Sequence, residues 1–306
     1  MTTLVFGHKS PDTDSTGSPI VWSWYLNQIK GVEAKPVLLG EPNTEALFVL
    51  EHWGLEKPEI MTKLAADTDV VIVDTNNPGE LPENINDANI TGIIDHHRLV
   101  AGLETRGPIE IDIQPLACTA TIMWKKIGKD WAQAPKEIKG AALSCILSDT
   151  LEFRSPTTTQ EDKAIAHSIA EELGVDITAY AEQMFAAKSD VSAFSEEELL
   201  RMDSKEFDLD GTGLRVSVLE TTSPAPLLAR KDALMAAMPG VAEADGAAQV
   251  LLFIVDILKE EATLLVPNDM VKHIAEKSFD ASVEGDNVVL PGIMSRKKQI
   301  IPNLKM

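Results

Sequence analysis

Short apolar runs alternate with helical patterns over the first part of the chain. The clearest runs span residues 4–8, 36–40, 69–74 and 90–95, and most of them end in polar residues. Continuous apolar strands separated by helices are typical of a parallel sheet that is covered on both faces. A further strand at 109–113 is expected near an edge. The pattern therefore predicts an α/β fold with a doubly wound, mainly parallel sheet.

The pattern changes near residue 190. Predicted helices precede this point at 16–29, 44–52, 58–66, 119–127, 136–148, 160–174 and 177–188. A polar link follows, and the later segments combine helices at 195–200, 226–238 and 270–277 with strands at 214–219, 250–257, 263–266 and 288–290. The adjacent strands around residues 259–261 indicate a hairpin and hence a mixed sheet. We predict a domain of residues 1–188, a linker at 189–194 and a smaller mixed-sheet α/β domain of 195–306.

Histidines and aspartates follow the ends of three predicted strands. They are His8, Asp12, Asp14, Asp74, Asp95, His96 and His97. In a doubly wound sheet the ligand site lies outside the carboxyl ends of the strands, so we expect these side chains to meet at one edge. Imidazole and carboxylate together suit Mn²⁺, Co²⁺, Zn²⁺ or Fe²⁺, whereas carboxylates alone suit Mg²⁺. The sequence predicts a divalent metal site.

The first loop also permits a simpler interpretation. Asp12 and Asp14 could only shape an Asx turn and cap the next helix, as Ser15 or Thr16 could also do. An acidic residue at any single strand end is often a turn former. Three strand ends that all carry Asp or His favour the metal site instead.

The overall charge restricts the choice of partner. The chain has 48 acidic and 27 basic residues, which gives a formal net charge of −21. Such a surface disfavours nucleic acid as a partner, because nucleic-acid binding depends on Lys and Arg side chains that neutralise the phosphates.

No apolar stretch approaches the roughly 18 residues of a membrane span. Cys118 and Cys145 lack C-x-x-C spacing and are predicted to be buried. The N-terminus does not have the pattern of a secretory signal peptide, which favours a cytoplasmic location.

A cationic segment near the C-terminus contrasts with this acidic background. It reads Ser295-Arg296-Lys297-Lys298-Gln299 and follows a Pro-Gly turn. It could be a solvated tail, or it could bind phosphate, since Arg offers a planar fork to phosphate oxygens and Lys a mobile charge. Lys205 is a possible additional cation.

With these motifs assembled, the sequence closely resembles the family II inorganic pyrophosphatases, the manganese- or cobalt-activated members of the DHH phosphoesterase superfamily. The resemblance covers essentially the whole chain. It rests on His8-x-x-x-Asp12-x-Asp14, Asp74-Thr75-Asn76-Asn77, Asp95-His96-His97, Ser148-Asp149-Thr150 and the cationic segment. The Asp-His-His motif indicates only the superfamily, whereas the cationic segment and Lys205 narrow the resemblance to the pyrophosphatases.

The resemblance implies a role for each matching residue. One Mn²⁺ or Co²⁺ would bind to His8, Asp12 and Asp74, and a second to Asp14, Asp74, His96 and Asp149, so that Asp74 bridges two tightly bound ions. Asp95 would fix a neighbouring imidazole. The residues implied for the substrate are His97, Lys205, Arg296 and Lys297, with Asn76 and Lys298 as weaker candidates for binding substrate or supporting the site.

The implied reaction is hydrolysis of pyrophosphate to two phosphates in a two-metal site between a DHH domain and a DHHA2-like domain. A shared water would lose its proton near neutral pH and attack as a metal-bridged hydroxide, with Mg²⁺ arriving on the substrate. A homodimer is also implied. Two alternatives stay open, a DHH-type phosphodiesterase for short oligonucleotides or cyclic dinucleotides and a non-enzymatic sensor of metal or phosphate.

Overall fold

The computed structural model describes residues 2–209 and 211–306. The chain divides into two compact units, Met1–Lys188 and Ser189–Met306. Each unit contains one sheet, of six strands in the first and five in the second. No helix in the part of the chain that the structure describes is long and apolar enough to cross a membrane.

The first unit alternates strands with helices. Its strands are β1 (Thr3–Phe6), β2 (Ala34–Leu38), β3 (Glu59–Ile60), β4 (Asp69–Val73), β5 (Asn89–Asp95) and β6 (Glu110–Ile113). Its helices are α1 (Thr13–Tyr25), α2 (Thr44–Trp53), α3 (Thr119–Ile127), α4 (Lys136–Thr150), α5 (Gln160–Leu173) and α6 (Ile177–Lys188). The predicted edge strand is present as β6.

The sheet order of the first unit is β3-β2-β1-β4-β5-β6, and every neighbouring pair is parallel. This confirms the predicted fold class. The order reverses between β1 and β4, and such a switch point opens a crevice outside the carboxyl ends of the two strands. The topology therefore places the loops after β1 and β4 side by side.

One predicted element of the first unit is wrong. The sequence predicts a short helix over residues 58–66. The segment instead forms β3, which pairs with β2 in parallel, and Leu64 is buried against the sheet. Pairing with the edge of β2 and burial of Leu64 therefore determine the conformation of this segment.

The second unit combines strands and helices in a different order. Its strands are β7 (Ser204–Leu209), β8 (Thr212–Thr221), β9 (Gln249–Asp256), β10 (Glu261–Leu265) and β11 (Asn287–Pro291). Its helices are α7 (Glu196–Met202), α8 (Ala225–Leu228), α9 (Lys231–Ala244) and α10 (Asp269–Phe279). Among the described strands of this unit, only β8 and β9 pair in parallel, and β9 and β10 form the predicted hairpin. The sheet is mixed, as expected.

Both faces of the second sheet are covered. All eight residues of β9 are buried. On one face Phe253 packs with Ile274 of α10, and on the other Leu252 packs with Leu234 of α9. Strand β7 was not predicted from the sequence, because five of its six residues are not buried and they give no apolar run.

Candidate metal centre

The loop after β1 brings one histidine and two aspartates to the start of α1. Asp12 is the N-cap of α1, and its Oδ1 accepts a hydrogen bond of 2.9 Å from the Ser15 backbone amide. Asp14 lies in the first turn and is fully buried. Its two carboxylate oxygens accept hydrogen bonds from Ser18 Oγ, at 2.5 Å, and from the Thr119 amide, at 2.8 Å. Asp12 thus caps the helix and remains able to bind a cation.

Asp74 follows β4 directly and lies at the centre of the cluster. It has a φ of 57°, in the left-handed region, which Asp tolerates better than most residues. Its side chain is buried, and its Oδ2 has no hydrogen-bond partner among the described residues. Residues held in this region often belong to functional sites, since the surrounding structure must impose the conformation.

The side chains form two main groups of potential ligands. Within each group the ligand atoms lie within 4.8 Å of one another, and the groups are His8 with Asp12 and Asp74, and Asp14 with His96 and Asp149. Asp74 also groups with His96 and His97. These contacts bring together all six residues that were predicted to bind metal.

Asp74 faces both groups with different oxygens. Its Oδ2 lies 3.5 Å from His8 Nε2, and its Oδ1 lies 3.2 Å from His96 Nε2. His8 Nε2 is also 3.8 Å from Asp12 Oδ2, and His96 Nε2 is 3.9 Å from Asp149 Oδ2. A carboxylate with one oxygen toward each group has the geometry of a bridging ligand.

The electrostatics of the cluster favour a bound cation. Burial and the negative charge of Asp14 raise the pKa of both Asp74 and Asp149 well above the ordinary value for an aspartate. Asp149 Oδ2, like Asp74 Oδ2, is buried without a hydrogen-bond partner in the described structure. Buried carboxylates that repel one another are stabilised by a shared positive charge.

The pKa values of His8 and Asp12 shift through their mutual contact. Burial lowers the pKa of His8, but the nearby carboxylates of Asp12 and Asp74 outweigh this effect and raise it. Burial raises the pKa of Asp12, but the neighbouring His8 imidazole and the hydrogen bond from the Ser15 amide lower it below its ordinary value. The raised pKa of His8 reflects the negative charge around it, whereas the lowered pKa of Asp12 keeps this carboxylate ionised and able to bind a divalent cation.

Asp95 orients His97 from the end of β5. Its Oδ1 accepts a hydrogen bond of 3.0 Å from the His97 amide and lies 2.9 Å from His97 Nδ1. This hydrogen bond raises the pKa of His97 even though burial lowers it. Asn76 is buried and donates to Asp95 Oδ2 at 2.5 Å, so it supports this pair. The imidazole that Asp95 holds is therefore His97, whose side chain is 52% exposed.

The predicted phosphate-binding cations lie in the second unit. Arg296 Nη1 donates to the Asp203 carbonyl at 2.8 Å, and its Nη2 lies 2.7 Å from Asp203 Oδ1. Asp203 directly precedes β7, which carries the exposed Lys205. Lys297 and Lys298 are exposed in the helical turn Arg296–Ile300. The cationic segment thus contacts the residue that precedes β7.

Two residues that hydrogen-bond to a predicted metal ligand are not identified by the sequence analysis. Ser18 and Thr119 both donate to Asp14, as described above. Ser18 is four residues after Asp14 on the same helical face, and this spacing could have identified it. Thr119 is distant in sequence; its backbone amide donates to Asp14 and its Oγ1 donates to Asp74 Oδ1 at 3.4 Å, and both contacts depend on tertiary packing that the sequence does not reveal.

Two family descriptions match the chain. Residues 2–149 match the DHH family, N-terminal domain, and residues 182–306 match the DHHA2 domain. The chain is 37% identical over 303 residues to proteins of Lactobacillus helveticus and Lactobacillus acidophilus, each named "Probable manganese-dependent inorganic pyrophosphatase". Both alignments cover 98% of this chain and 97% of the relative.

A solved structure agrees with these relatives. It is a Methanococcus jannaschii protein described as a candidate family II inorganic pyrophosphatase, 33% identical, with a TM-score of 0.61. The match covers 99% of this chain and 98% of the other. Sequence identity at this level extends over nearly the full length of each protein, and the cluster of potential metal ligands described above is consistent with it. The chain therefore belongs to the family II, manganese-dependent inorganic pyrophosphatases of the DHH phosphoesterase superfamily.

Proposed function

We propose that this protein hydrolyses inorganic pyrophosphate to two phosphates at a centre of two divalent metal ions. The observation that carries the proposal is Asp74, which directs one carboxylate oxygen toward each of two ligand groups. The names of the Lactobacillus relatives, which cover nearly the whole chain, support the same activity. The proposed ligands are His8, Asp12, Asp14, Asp74, His96 and Asp149.

The donor atoms fit Mn²⁺ or Co²⁺. Each of the two main ligand groups combines one imidazole nitrogen with carboxylate oxygens, and this mixture suits both ions. When bound, two adjacent divalent ions supply positive charge for phosphate oxygens and make a nearby water more acidic. Mg²⁺ is proposed to accompany the substrate, as in other phosphoryl-transfer enzymes.

The remaining proposed residues act on the substrate. His97 is held by Asp95, and its raised pKa favours the protonated form that donates a hydrogen bond to a phosphate oxygen. We propose that the phosphates are bound by Lys205, Arg296 and Lys297. Lys298 is a weaker candidate for binding the substrate or supporting the site. Their charge would stabilise the leaving phosphate as negative charge develops on it.

The test is phosphate release by metal-stripped protein resupplied with Mn²⁺ and Mg²⁺. Mg²⁺ alone and a bis-phosphodiester are the controls. Rapid release from pyrophosphate, strongest with Mn²⁺, would support the proposal. Cleavage of the diester without release from pyrophosphate would assign the protein to phosphodiester hydrolysis, and binding of Mn²⁺ and pyrophosphate without release would make it a sensor.

Metal binding is expected to stabilise the folded protein. At a free Mn²⁺ concentration of 100 times the dissociation constant, one site adds about 2.7 kcal/mol to the free energy of unfolding. Thermal unfolding of metal-stripped protein with and without Mn²⁺ measures this gain, and K⁺ at equal ionic strength is the control. An equal melting temperature in both salts would contradict the proposed centre.

The gain from Mn²⁺ is expected to increase with pH. In the metal-free protein the folded-state pKa of Asp74 and Asp149 lies above the unfolded value of about 3.8. Their contribution to stability is therefore present below the unfolded pKa and is lost as pH rises through the folded pKa. Mn²⁺ must displace the retained protons at acidic pH, so it binds more tightly and stabilises more at alkaline pH.

Location and assembly complete the proposal. We place the protein in the cytoplasm, which the two buried, unpaired cysteines Cys118 and Cys145 support. A homodimer is expected from the family resemblance, and sedimentation velocity would measure it. The net charge of −21 supports a small anionic substrate held by local cations rather than a nucleic acid.

A further inference from the structure

Glu45 is a fully buried carboxylate outside the proposed ligand set. It lies in the first turn of α2, whose N-cap is Asn43, and its exposed fraction is 0%. Burial of an ionised side chain costs free energy unless charges and hydrogen bonds compensate. The N-terminal turn of a helix favours a negative charge, but an exposed position would provide the same benefit. The burial of Glu45 therefore requires an explanation from its contacts.

A single oxygen of Glu45 makes three polar contacts. Its Oε2 accepts hydrogen bonds from Thr13 Oγ1 at 3.0 Å and from Ser148 Oγ at 2.8 Å. The same oxygen lies 3.2 Å from Lys188 Nζ. Its Oε1 is buried and has no hydrogen-bond partner among the residues that the structure describes. Glu45 thus joins α1, α4 and α6 through one atom.

Two of these partners are next to proposed metal ligands. Thr13 lies between Asp12 and Asp14, and Ser148 immediately precedes Asp149. Three proposed ligands, Asp12 of one group and Asp14 and Asp149 of the other, therefore lie at two helix ends that share one acceptor. Loss of that acceptor would leave two buried hydroxyl groups unpaired at those helix ends. The ammonium group of Lys188 balances the charge of the shared carboxylate.

We propose that Glu45 is a positioning residue for the metal centre, which it serves by holding the start of α1 and the end of α4 at a fixed separation. This inference rests on the proposed function. Glu45 does not contact metal or substrate in this role. It fixes Asp12, Asp14 and Asp149 before any ion arrives, and a ligand set fixed in advance binds metal more tightly than one that must be ordered.

The test compares two substitutions of Glu45 by titration of metal-stripped protein with Mn²⁺. Glu45→Ala removes the shared acceptor and should raise the half-saturating Mn²⁺ concentration about 10–100-fold, the usual effect of losing a residue that orients ligands. Glu45→Gln retains a carbonyl oxygen with two acceptor positions and should stay within about threefold of the unaltered protein. Glu51→Ala, at an exposed site in the last turn of α2, is the matched control.

A second variant keeps the test independent of folding. Ser148→Ala removes only one hydroxyl group, and it should weaken Mn²⁺ binding on its own. In the Glu45→Ala background it should cause no additional loss, because both changes remove the same contact. Additive losses would overturn the proposal. The melting temperature of each metal-free variant is measured in parallel.

The outcomes separate this inference from the proposed function. Absence of Mn²⁺ binding in the unaltered protein would overturn the metal centre and the role of Glu45 with it. Equally tight binding by the unaltered protein and Glu45→Ala would overturn only the role of Glu45. A lower melting temperature with unchanged Mn²⁺ affinity would show that Glu45 stabilises the fold without positioning ligands.

Discussion

Asp74→Asn is expected to abolish both Mn²⁺ binding and pyrophosphate hydrolysis. The two carboxylate oxygens of Asp74 face different ligand groups, so one substitution affects both proposed ions. The amide nitrogen of Asn has no lone pair available for a cation, and the negative charge is lost. Since metal ions contribute several kcal/mol to catalysis and each 1.36 kcal/mol is a factor of ten, we expect a loss of at least about a thousandfold.

Asp69→Asn is the matched control for this prediction. Asp69 begins the same strand, β4, at the opposite end, where its Oδ1 accepts a hydrogen bond of 2.6 Å from Asn89. The same chemical change there should leave Mn²⁺ titration and phosphate release unchanged. Circular dichroism of both variants verifies that the fold is intact. Turnover by Asp74→Asn close to that of the unaltered protein would contradict the bridging assignment.

The first unit could be predicted well because its strands are strongly patterned. Runs such as 69–73 are apolar on both faces, and such runs alternating with helices are typical of a parallel, doubly covered sheet. Once that sheet is accepted, the chain order places the residues after β1, β4 and β5 at one edge. Topology alone therefore brought His8, Asp74 and His96 together, with no knowledge of distances.

Other features of the site depend on contacts that the sequence does not contain. The left-handed backbone at Asp74 is not evident from the sequence, because Asp is also common in ordinary turns. Asp95 contacts His97 and not the adjacent His96 because of the direction in which each side chain points, which the sequence does not specify. The burial of Asn76 likewise follows from tertiary packing.

The second unit shows the same limit for secondary structure. Strand β9 is buried along its whole length and was found from its apolar run. Five of the six residues of strand β7 are not buried, so the strand forms because its backbone pairs with β8. This missed strand carries Lys205. The cation could be named by motif resemblance, but its place on an edge strand could not be predicted from hydrophobic pattern.

Arg296→Ala is expected to weaken pyrophosphate turnover while Mn²⁺ binding remains unchanged. Its guanidinium contacts the carbonyl and the carboxylate of Asp203, and its side chain is only 16% exposed. These contacts restrict the direction of the fork before substrate binds, so little conformational entropy is lost on binding phosphate. Hydrogen bonds to charged groups contribute roughly 1.5–3 kcal/mol, which predicts a fall in kcat/KM of about 10–100-fold.

Two further variants separate phosphate binding from general effects of charge. Arg296→Lys retains the positive charge without the planar fork, so it should recover part of the activity. Arg201→Ala removes another arginine of the second unit, one paired with Asp245, and should leave turnover close to that of the unaltered protein. Mn²⁺ titration of each variant is the second measurement. Loss of Mn²⁺ affinity in Arg296→Ala would assign the arginine to the support of the metal centre, because a residue that binds only phosphate has no means of changing the affinity of the free enzyme for metal.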